Sequence, residues 1–327
     1  SNRMVVQARV VNAKRYVEIN TYEQLRELDE DSNTLNTDIM NIIVQALDVK
    51  ITNITDIIVL KKGMTNRSFL FRCGGRKYIM RIPGEGTDKL INRREEAEVY
   101  EVLRGRGICD DIAYINAQNG YKITEFLEGA RVCNADSEED IKVCMKKLRE
   151  FHDQKLIVGH EFDIFKQIEF YESLWGDKTS IYRDYENTKK NVFLLKKYID
   201  TVKKEKCLTH IDAVPDNFLF TTDGTVRLID WEYAGMQDPH VDIAMFCIYS
   251  LYDREQIDKL IDIYFEGNCP MEIRIKIYSY IAACGLLWSN WCEYKRNLGV
   301  EFGEYSLRQY RYAKEYYKIV NDELGGL

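Results

Sequence analysis

The sequence has few of the features that mark secreted, membrane-spanning or repeat proteins. Only four of its 327 residues are proline, and no Gly/Ser-rich tract suggests a flexible linker. No apolar run is long enough for a transmembrane helix, and no segment has the pattern of a signal peptide. No repeat occurs at the period of a solenoid. We therefore expect a globular protein of the cytoplasm.

The cysteines also lack a pattern. Nine are present, an odd number at irregular spacing, and none forms a C-x-x-C pair. We therefore expect buried, reduced thiols rather than a disulfide framework or a zinc site. The net charge of −7 argues against nucleic acid or an anionic membrane as a partner, and it suits a cationic small molecule.

Secondary-structure signals change from strands to helices along the chain. Residues 57–60, 68–71 and 78–82 alternate like strands of a hairpin meander, and residues 121–126 predict one further strand. The spacing of apolar residues over 90–104 predicts a helix. Five later segments show helical spacing and strong helix formers: 137–153, 164–175, 186–205, 254–266 and 271–296.

This order predicts an α+β architecture of two lobes. The first lobe, residues 1–126, is β-rich and contains one helix. The second lobe, residues 127–327, is mainly helical and contains a hairpin of two short strands, residues 217–220 and 226–229. A cleft between two such lobes is a common place for a small-molecule site.

One loop of the second lobe carries the strongest functional signal. His210, Asp212 and Asn217 have the spacing H-x-D-x-x-x-x-N, and Asp230 follows at the end of the hairpin. Phosphoryl transfer needs one carboxylate to hold the acceptor hydroxyl, and an amide and a second carboxylate to hold Mg²⁺ against the phosphates. Asp and Asn are also common in turns, but the combined pattern favours a kinase site over simple turn chemistry.

The loop and the hairpin resemble the choline kinase and aminoglycoside phosphotransferase superfamily, which shares its core fold with protein kinases. They are most similar to the bacterial LicA-type choline kinases, over roughly residues 50–300. The resemblance implies a protein-kinase-like fold and the use of ATP with Mg²⁺. It also implies that Asp212 is the catalytic residue that takes the proton of the acceptor hydroxyl, with Asn217 and Asp230 as the magnesium ligands.

Two other residues near this loop are expected to have structural roles. His210 is expected to brace the loop rather than to transfer protons. Asp242 is expected either to cap the following helix or to hydrogen-bond the loop. Asp216 has no role that the motif assigns.

Residues of the first lobe resemble the nucleotide site of this family. Gly63, Thr65 and Asn66 fit its G-x-T-N phosphate loop, in which backbone N–H groups cradle phosphate oxygens. Arg81 lies where protein kinases carry their phosphate-binding lysine, and a guanidinium serves phosphate well. Glu96 has the R-x-x-E spacing of the family and is expected to pair with Arg81.

Two further expectations concern the nucleotide. Glu95 and Glu98 remain alternatives to Glu96 as the acid that pairs with Arg81. A run of acidic residues is usually a charged helix surface and does not by itself single out one of them. The segment around Glu125 and Leu127 resembles the hinge between the lobes, where adenine would bond to backbone groups.

The acceptor site is expected on a late helix. Trp288 and Trp291 are three positions apart and so project from one helix face, as in the W-x-x-W pair of choline kinases. Two indole rings and a carboxylate can enclose a quaternary ammonium group, with cation–π contacts of about 2 kcal/mol each when desolvated. On spacing alone the tryptophans would be read as core residues. Four residues are candidates for further walls: Glu232, Tyr233, Tyr249 and Tyr252.

The predicted activity is therefore that of a choline kinase, which transfers the γ-phosphoryl group of ATP to choline and gives phosphocholine. An aminoglycoside kinase or an ethanolamine kinase is the alternative within the superfamily. A non-catalytic nucleotide-binding protein is a third possibility, against which the three catalytic residues argue. The sequence leaves open whether the chain is a monomer or a homodimer.

Overall fold

The computed structural model describes residues 38–60, 66–84, 87 and 90–327. These residues belong to two compact units, which interleave along the chain. The first unit contains residues up to 85 together with 112–115 and 121–126, and the second contains 86–111, 116–120 and 127–327. The single boundary after residue 126 stays a prediction, although Phe126 is the last residue of the first unit.

The first unit is built on a five-stranded antiparallel sheet with the strand order β1-β2-β3-β5-β4. Its strands are β1 (Thr55–Val59), β2 (Asn66–Cys73), β3 (Arg76–Pro83), β4 (Ile112–Ile115) and β5 (Lys122–Glu125). The four strands expected from alternation are present, and β4 is an edge strand that the sequence pattern did not reveal.

A helix before the sheet completes the core of this unit. Helix α1 (Asp38–Leu47) buries Met40 and Ile43, which pack with Phe71 and Met80 of the sheet. Burial of such a side chain is worth about 1.5–3 kcal/mol relative to its exposed state. The helix therefore belongs to the structural core of the first unit.

The second unit is mainly helical. Its helices are α2 (Arg93–Leu103), α3 (Glu138–His152), α4 (Ile164–Ser173), α5 (Tyr185–Thr201), α6 (His240–Tyr249), α7 (Arg254–Tyr264), α8 (Met271–Asn297) and α9 (Glu304–Glu323). Two small sheets interrupt them: β6 (Arg131–Val132), β8 (Phe218–Phe220) and β9 (Val226–Leu228) form one, and β7 (Cys207–Thr209) with β10 (Gly235–Gln237) forms the other. The predicted hairpin is the pair β8–β9.

Helix α8 is the centre of the second unit. Every residue from 275 to 293 is buried, because α4, α5, α6 and α9 all pack against it. Helix α9 was not predicted, since its buried face consists largely of tyrosines. All nine cysteines are free thiols, eight of them buried. Within the ranges that the structure describes, no helix combines the length and apolar character needed to span a lipid bilayer.

A buried ion pair ties α8 to the segment before α6. The Lys276 ammonium, 1% exposed, donates to the Asp238 carboxylate at 2.7 Å. Burial by itself would raise the pKa of Asp238. The hydrogen bond and charge of His240, together with the charge of Lys276, instead hold it well below its usual range. The carboxylate is therefore ionised and depends on its partners.

Replacing Lys276 by methionine should lower the free energy of unfolding by about 3–5 kcal/mol, because the Asp238 charge would remain buried without its cation. Urea denaturation monitored by circular dichroism measures this change. Lys259→Met is the matched control, since Lys259 makes an exposed pair with Glu138 and its loss should cost about 1 kcal/mol or less. Equal losses in the two variants would contradict the role given to the buried pair.

Candidate active site

Asp242, in the first turn of α6, holds the predicted catalytic loop (residues 210–217), which connects β7 to β8. Its buried carboxylate accepts hydrogen bonds from the backbone N–H of His210 at 3.0 Å and of Ile211 at 2.7 Å. Ile211 has a φ of +70°, a conformation that a β-branched residue adopts only under constraint. These charge-assisted bonds fix the turn from which Asp212 extends. Of the two roles expected for Asp242, the bond to the loop is the one present.

Two buried histidines complete this support. His152, at the end of α3, contacts the Asp242 carboxylate with Nε2 at 2.9 Å and the Tyr264 hydroxyl with Nδ1 at 2.9 Å. His210 donates from Nε2 to the carbonyl oxygen of Ile229 at 2.8 Å. Burial lowers the pKa of His210, so its ring is neutral near pH 7. This is the bracing role that the sequence predicts for His210.

The three residues predicted to carry the chemistry lie together. The Asn217 side-chain amide donates to the main-chain oxygen of Asp212 at 2.8 Å and to its carboxylate at 3.3 Å. The Ile229 N–H donates to the Asn217 carbonyl at 2.9 Å, which brings the next residue, Asp230, beside the loop. Asp230 has a φ of +65°, so the chain turns at this residue.

The electrostatic environment of Asp212 is strongly negative. Burial is the main cause that raises the pKa of its carboxyl to about 8, and the negative charges of Asp230 and Glu232 contribute to this rise. A cation that binds among these groups would lower this pKa, because it favours the ionised form. The site is thus arranged to accept positive charge.

Asn217 and Asp230 have the chemistry that a magnesium site needs. The Asn217 amide nitrogen is used by Asp212, whereas its Oδ1 accepts no hydrogen bond from the described residues. Mg²⁺ prefers hard oxygen ligands, one or two from carboxylate or amide groups and the others from phosphates and water. The residues present therefore fit this ion.

A buried arginine that the sequence analysis did not single out joins two predicted site residues. Arg93 donates from one terminal nitrogen to Glu96 at 3.0 Å and to Glu232 at 3.3 Å, and the three side chains are 5%, 0% and 3% exposed. Glu96 therefore pairs with Arg93, and its pairing with Arg81 stays a prediction. The i,i+3 spacing of Arg93 and Glu96 was a visible signal, whereas the contact with Glu232 spans 139 residues.

The aromatic residues predicted for the acceptor form a continuous cluster. The rings of Trp288 and Trp291 meet edge-on with centroids 5.5 Å apart, and Tyr233 packs edge-on against Trp288 at 5.9 Å. Phe302 extends the cluster, 5.2 Å from Trp291. The ammonium group of Lys295 lies 5.4 Å from the centroid of the Trp291 ring. We refer to Tyr233, Trp288, Trp291 and Phe302 as the aromatic cluster.

The two other tyrosines predicted for this site have different partners. Tyr249 donates its hydroxyl to the Asp216 carboxylate at 2.5 Å, beside the catalytic loop. Tyr252 donates its hydroxyl to the carbonyl of Ala135, and its ring packs near Phe246 at 6.2 Å. The contacts described here do not connect either tyrosine directly to the aromatic cluster.

The predicted nucleotide residues are distributed over both units. Gly63 and Thr65 lie outside the described residues. Asn66 begins β2 opposite Pro83, and the buried Arg81 lies in β3 between Ser68 and Lys122 of the neighbouring strands. Glu125 ends β5 opposite Tyr78, and the carbonyl of Leu127 accepts from Ala130 N–H at 3.2 Å. Their nucleotide contacts stay predictions.

A cavity of about 290 Å³ opens beside Glu232 and Tyr233. Its walls include Asn92 and Glu95 at the start of α2 and residues 160–163 on the other side. Carboxylates predominate over cations among its charged groups, so it suits a positively charged molecule. Glu232 and Tyr233 therefore line this cavity. Trp288 packs edge-on against Tyr233, but neither Trp288 nor Trp291 is a wall residue of the cavity.

Known proteins resemble this chain over most of its length. A sequence profile described as choline/ethanolamine kinase matches residues 57–264. Protein LicA of Haemophilus influenzae is 27% identical over 260 residues, which is 76% of each chain. The crystal structure of the choline kinase LicA from Streptococcus pneumoniae superposes with a TM-score of 0.74 at 28% identity, covering 86% of this chain and all of the other. A LicA complex with AMP has a TM-score of 0.72 at 28% identity, covering 87% and 99%.

The fold and the catalytic loop define a small-molecule kinase of the protein-kinase-like type. The profile covers more than half of the chain, and the chain accordingly belongs to the choline/ethanolamine kinase family. The predicted α+β kinase fold is confirmed, as is the enzyme class, an ATP-dependent phosphotransferase with an alcohol group as acceptor.

Replacing Asp212 by asparagine should abolish turnover and stabilise the ligand-free protein. The folded-state pKa of about 8 exceeds the ordinary 3.8, so the wild type loses stability as the pH rises through this window. The gain in free energy of unfolding should be larger near pH 7.5 than near pH 5, by up to about 1.4 kcal/mol per pH unit. Urea denaturation without Mg²⁺ or nucleotide measures it.

Asp223→Asn is the control of opposite sign. Hydrogen bonds from Thr221 and Thr225 lower the pKa of this exposed carboxyl to about 2, so it contributes stability that is complete above the ordinary 3.8. Its replacement should therefore cause a small loss of equal size at both pH values. An Asp212→Asn gain that did not depend on pH would contradict the account of Asp212.

Proposed function

We propose that the acceptor is choline and that the product is phosphocholine. The observation that carries the proposal is the aromatic cluster beside the buried carboxylate of Glu232. A quaternary ammonium group has no N–H to donate, so aromatic faces and a nearby negative charge are the groups that recognise it. Tyr233 and Glu232, which are adjacent in sequence, supply both to the same cavity.

The position of Lys295 supports this assignment. Its ammonium group lies over the ring of Trp291, so this ring already takes part in a cation–π contact within the protein. Burial lowers the pKa of Lys295, and the negative charge of Glu232 acts in the opposite direction. An ammonium group in this region therefore meets both an indole face and the field of a carboxylate.

The catalytic loop would perform the transfer by positioning and proton transfer. The Asp212 carboxylate orients the choline hydroxyl and accepts its proton as the oxygen bonds to the γ-phosphorus. The bond from the γ-phosphorus to the bridging oxygen breaks, and ADP leaves with the electron pair. Asn217 and Asp230 would hold Mg²⁺, which neutralises phosphate charge when it is bound. Asn217 also fixes Asp212 through the two hydrogen bonds described above.

The nucleotide contacts are proposed from the resemblance. We propose that Gly63, Thr65 and Asn66 cradle the phosphates, and that Arg81 binds them with Glu96 as its partner. Adenine would bond to the backbone at Glu125 and Leu127. Because ATP is the donor, we propose a cytoplasmic location. We expect a monomer or a homodimer.

Ethanolamine is the second candidate, because the cavity wall carries carboxylates. Glu95 and Glu232 both line the cavity, and a primary ammonium group could donate hydrogen bonds to such oxygens. Choline cannot make these bonds, so the ratio of the two activities distinguishes recognition by aromatic faces from recognition by carboxylates.

A coupled assay of ADP release with MgATP should test the acceptor directly. Choline, ethanolamine and kanamycin are compared in parallel, and choline should give the highest kcat/KM. A preference for ethanolamine would replace choline by ethanolamine as the assigned acceptor. Turnover with kanamycin alone would overturn the assignment of an amino-alcohol acceptor.

Two tryptophan variants test the aromatic cluster. Trp288→Ala and Trp291→Ala should each raise the KM for choline by roughly tenfold or more, because the Tyr233 ring would lose the aromatic packing that positions it for a cation–π contact of about 2 kcal/mol. Trp175→Ala is the matched control, because Trp175 is a buried tryptophan that instead packs on Tyr185. Unchanged choline kinetics in both Trp288→Ala and Trp291→Ala would show that these tryptophans have a purely structural role.

A further inference from the structure

Arg93 is the first residue of α2, and it is buried among polar groups. Its guanidinium donates to Glu96 at 3.0 Å, to Glu232 at 3.3 Å and to the Thr87 hydroxyl at 3.4 Å. A guanidinium is planar and always charged, so it holds the carboxylates it touches in a defined geometry. These contacts join the start of α2 to the segment that follows Asp230.

The aliphatic part of Arg93 is also held in place. Gly120 packs directly behind it, and a Cβ at this position would lie 2.5 Å from Cδ of Arg93. Gly120 has a φ of +72°, which favours glycine as well. The arginine side chain therefore has little room to move, and its head group is directed at the two carboxylates.

The two segments that Arg93 joins are both walls of the cavity described above. Asn92 and Glu95 line it from the start of α2, and Glu232 and Tyr233 line it from the other segment. A buried carboxylate without a partner either takes up a proton or moves towards water. Arg93 is a buried cationic partner of Glu232 and therefore helps to hold the Glu232 carboxylate in the cavity wall.

We propose that Arg93 is a positioning residue for the acceptor: by joining Glu232 to Glu96 it keeps the Glu232 carboxylate in the wall of the acceptor cavity. The proposal rests on the proposed function, in which Glu232 faces the cationic group of the substrate. Arg93 itself contacts neither the hydroxyl nor the phosphate in this arrangement. Replacing Arg93 therefore weakens acceptor binding through the displaced Glu232 carboxylate.

A double-mutant cycle on KM tests the proposal. Arg93→Met should raise the KM for choline about tenfold, the size of one lost charge-assisted hydrogen bond, and should raise the KM for ATP by less, through its contact with Glu96. In the Glu232→Gln background the same substitution should have no further effect on the KM for choline. Arg93→Lys, which keeps the charge, should recover part of the loss. Arg104→Met is the control, because Arg104 lies just after the same helix and pairs with the exposed Glu101.

Several outcomes would overturn the proposal. Additive effects of Arg93→Met and Glu232→Gln would show that the arginine does not act through Glu232. Equal rises in the KM for ATP and for choline, or a lower melting temperature with unchanged KM values, would assign Arg93 a purely structural role. Urea denaturation of the wild type, the two single variants Arg93→Met and Glu232→Gln, and the double variant measures the coupling between Arg93 and Glu232 without any acceptor. The absence of this coupling would also contradict the proposal.

The failure of the proposed function remains distinguishable from the failure of this proposal. If the wild type phosphorylates ethanolamine and not choline, the choline assignment falls. The cycle is then measured with ethanolamine, for which the same non-additivity is expected. A wild type that phosphorylates neither acceptor would remove both assignments.

Discussion

Negative charge gathered around the catalytic loop is the constraint on which the active site depends. Burial, together with the negative charges of Asp230 and Glu232, raises the pKa of Asp212 to about 8. Among the described residues, Arg93 compensates part of this charge through its contact with Glu232, and Lys295 interacts with the same carboxylate. In our account the remaining compensation comes with the reactants, from Mg²⁺ on the nucleotide and from the ammonium group of the acceptor. Binding and catalysis then use one electrostatic arrangement, and the ligand-free protein is less stable because of it.

The parts of the fold and site that the sequence predicted are those with short-range signals. Asp212 and Asn217 are five residues apart in one loop, and Asp230 follows a two-stranded hairpin, so their convergence needs no distant contact. The alternating strands of the first unit and the long helix α8 were equally visible, because periodicity is a local property. The spacing of Trp288 and Trp291 predicted that they share one helix face. Their expected place in one site with Tyr233 came from the resemblance to choline kinases and not from periodicity.

The parts that were missed depend on contacts between distant residues or on unusual core side chains. Helix α9 buries Tyr310, Tyr312 and Tyr316, and tyrosine gives a weaker core signal than leucine or valine. The bond from Arg93 to Glu232 crosses 139 residues and leaves no mark in local spacing. Tyr252 was expected on the helix after Asp242, but this helix, α6, ends at Tyr249, and the Tyr252 hydroxyl donates to the Ala135 carbonyl. A side chain at the end of a helix is placed by packing, which the sequence alone does not specify.

The central claim is that the site recognises its acceptor by positive charge. The most direct measurement compares kcat/KM for choline with that for its neutral carbon isostere, in which a tert-butyl group replaces the trimethylammonium group. The two alcohols have nearly the same shape and the same reacting hydroxyl, so only the charge differs. The account predicts that choline is preferred by roughly thirtyfold or more, the equivalent of about 2 kcal/mol from one desolvated cation–π contact. Equal kcat/KM values for the two alcohols would contradict it.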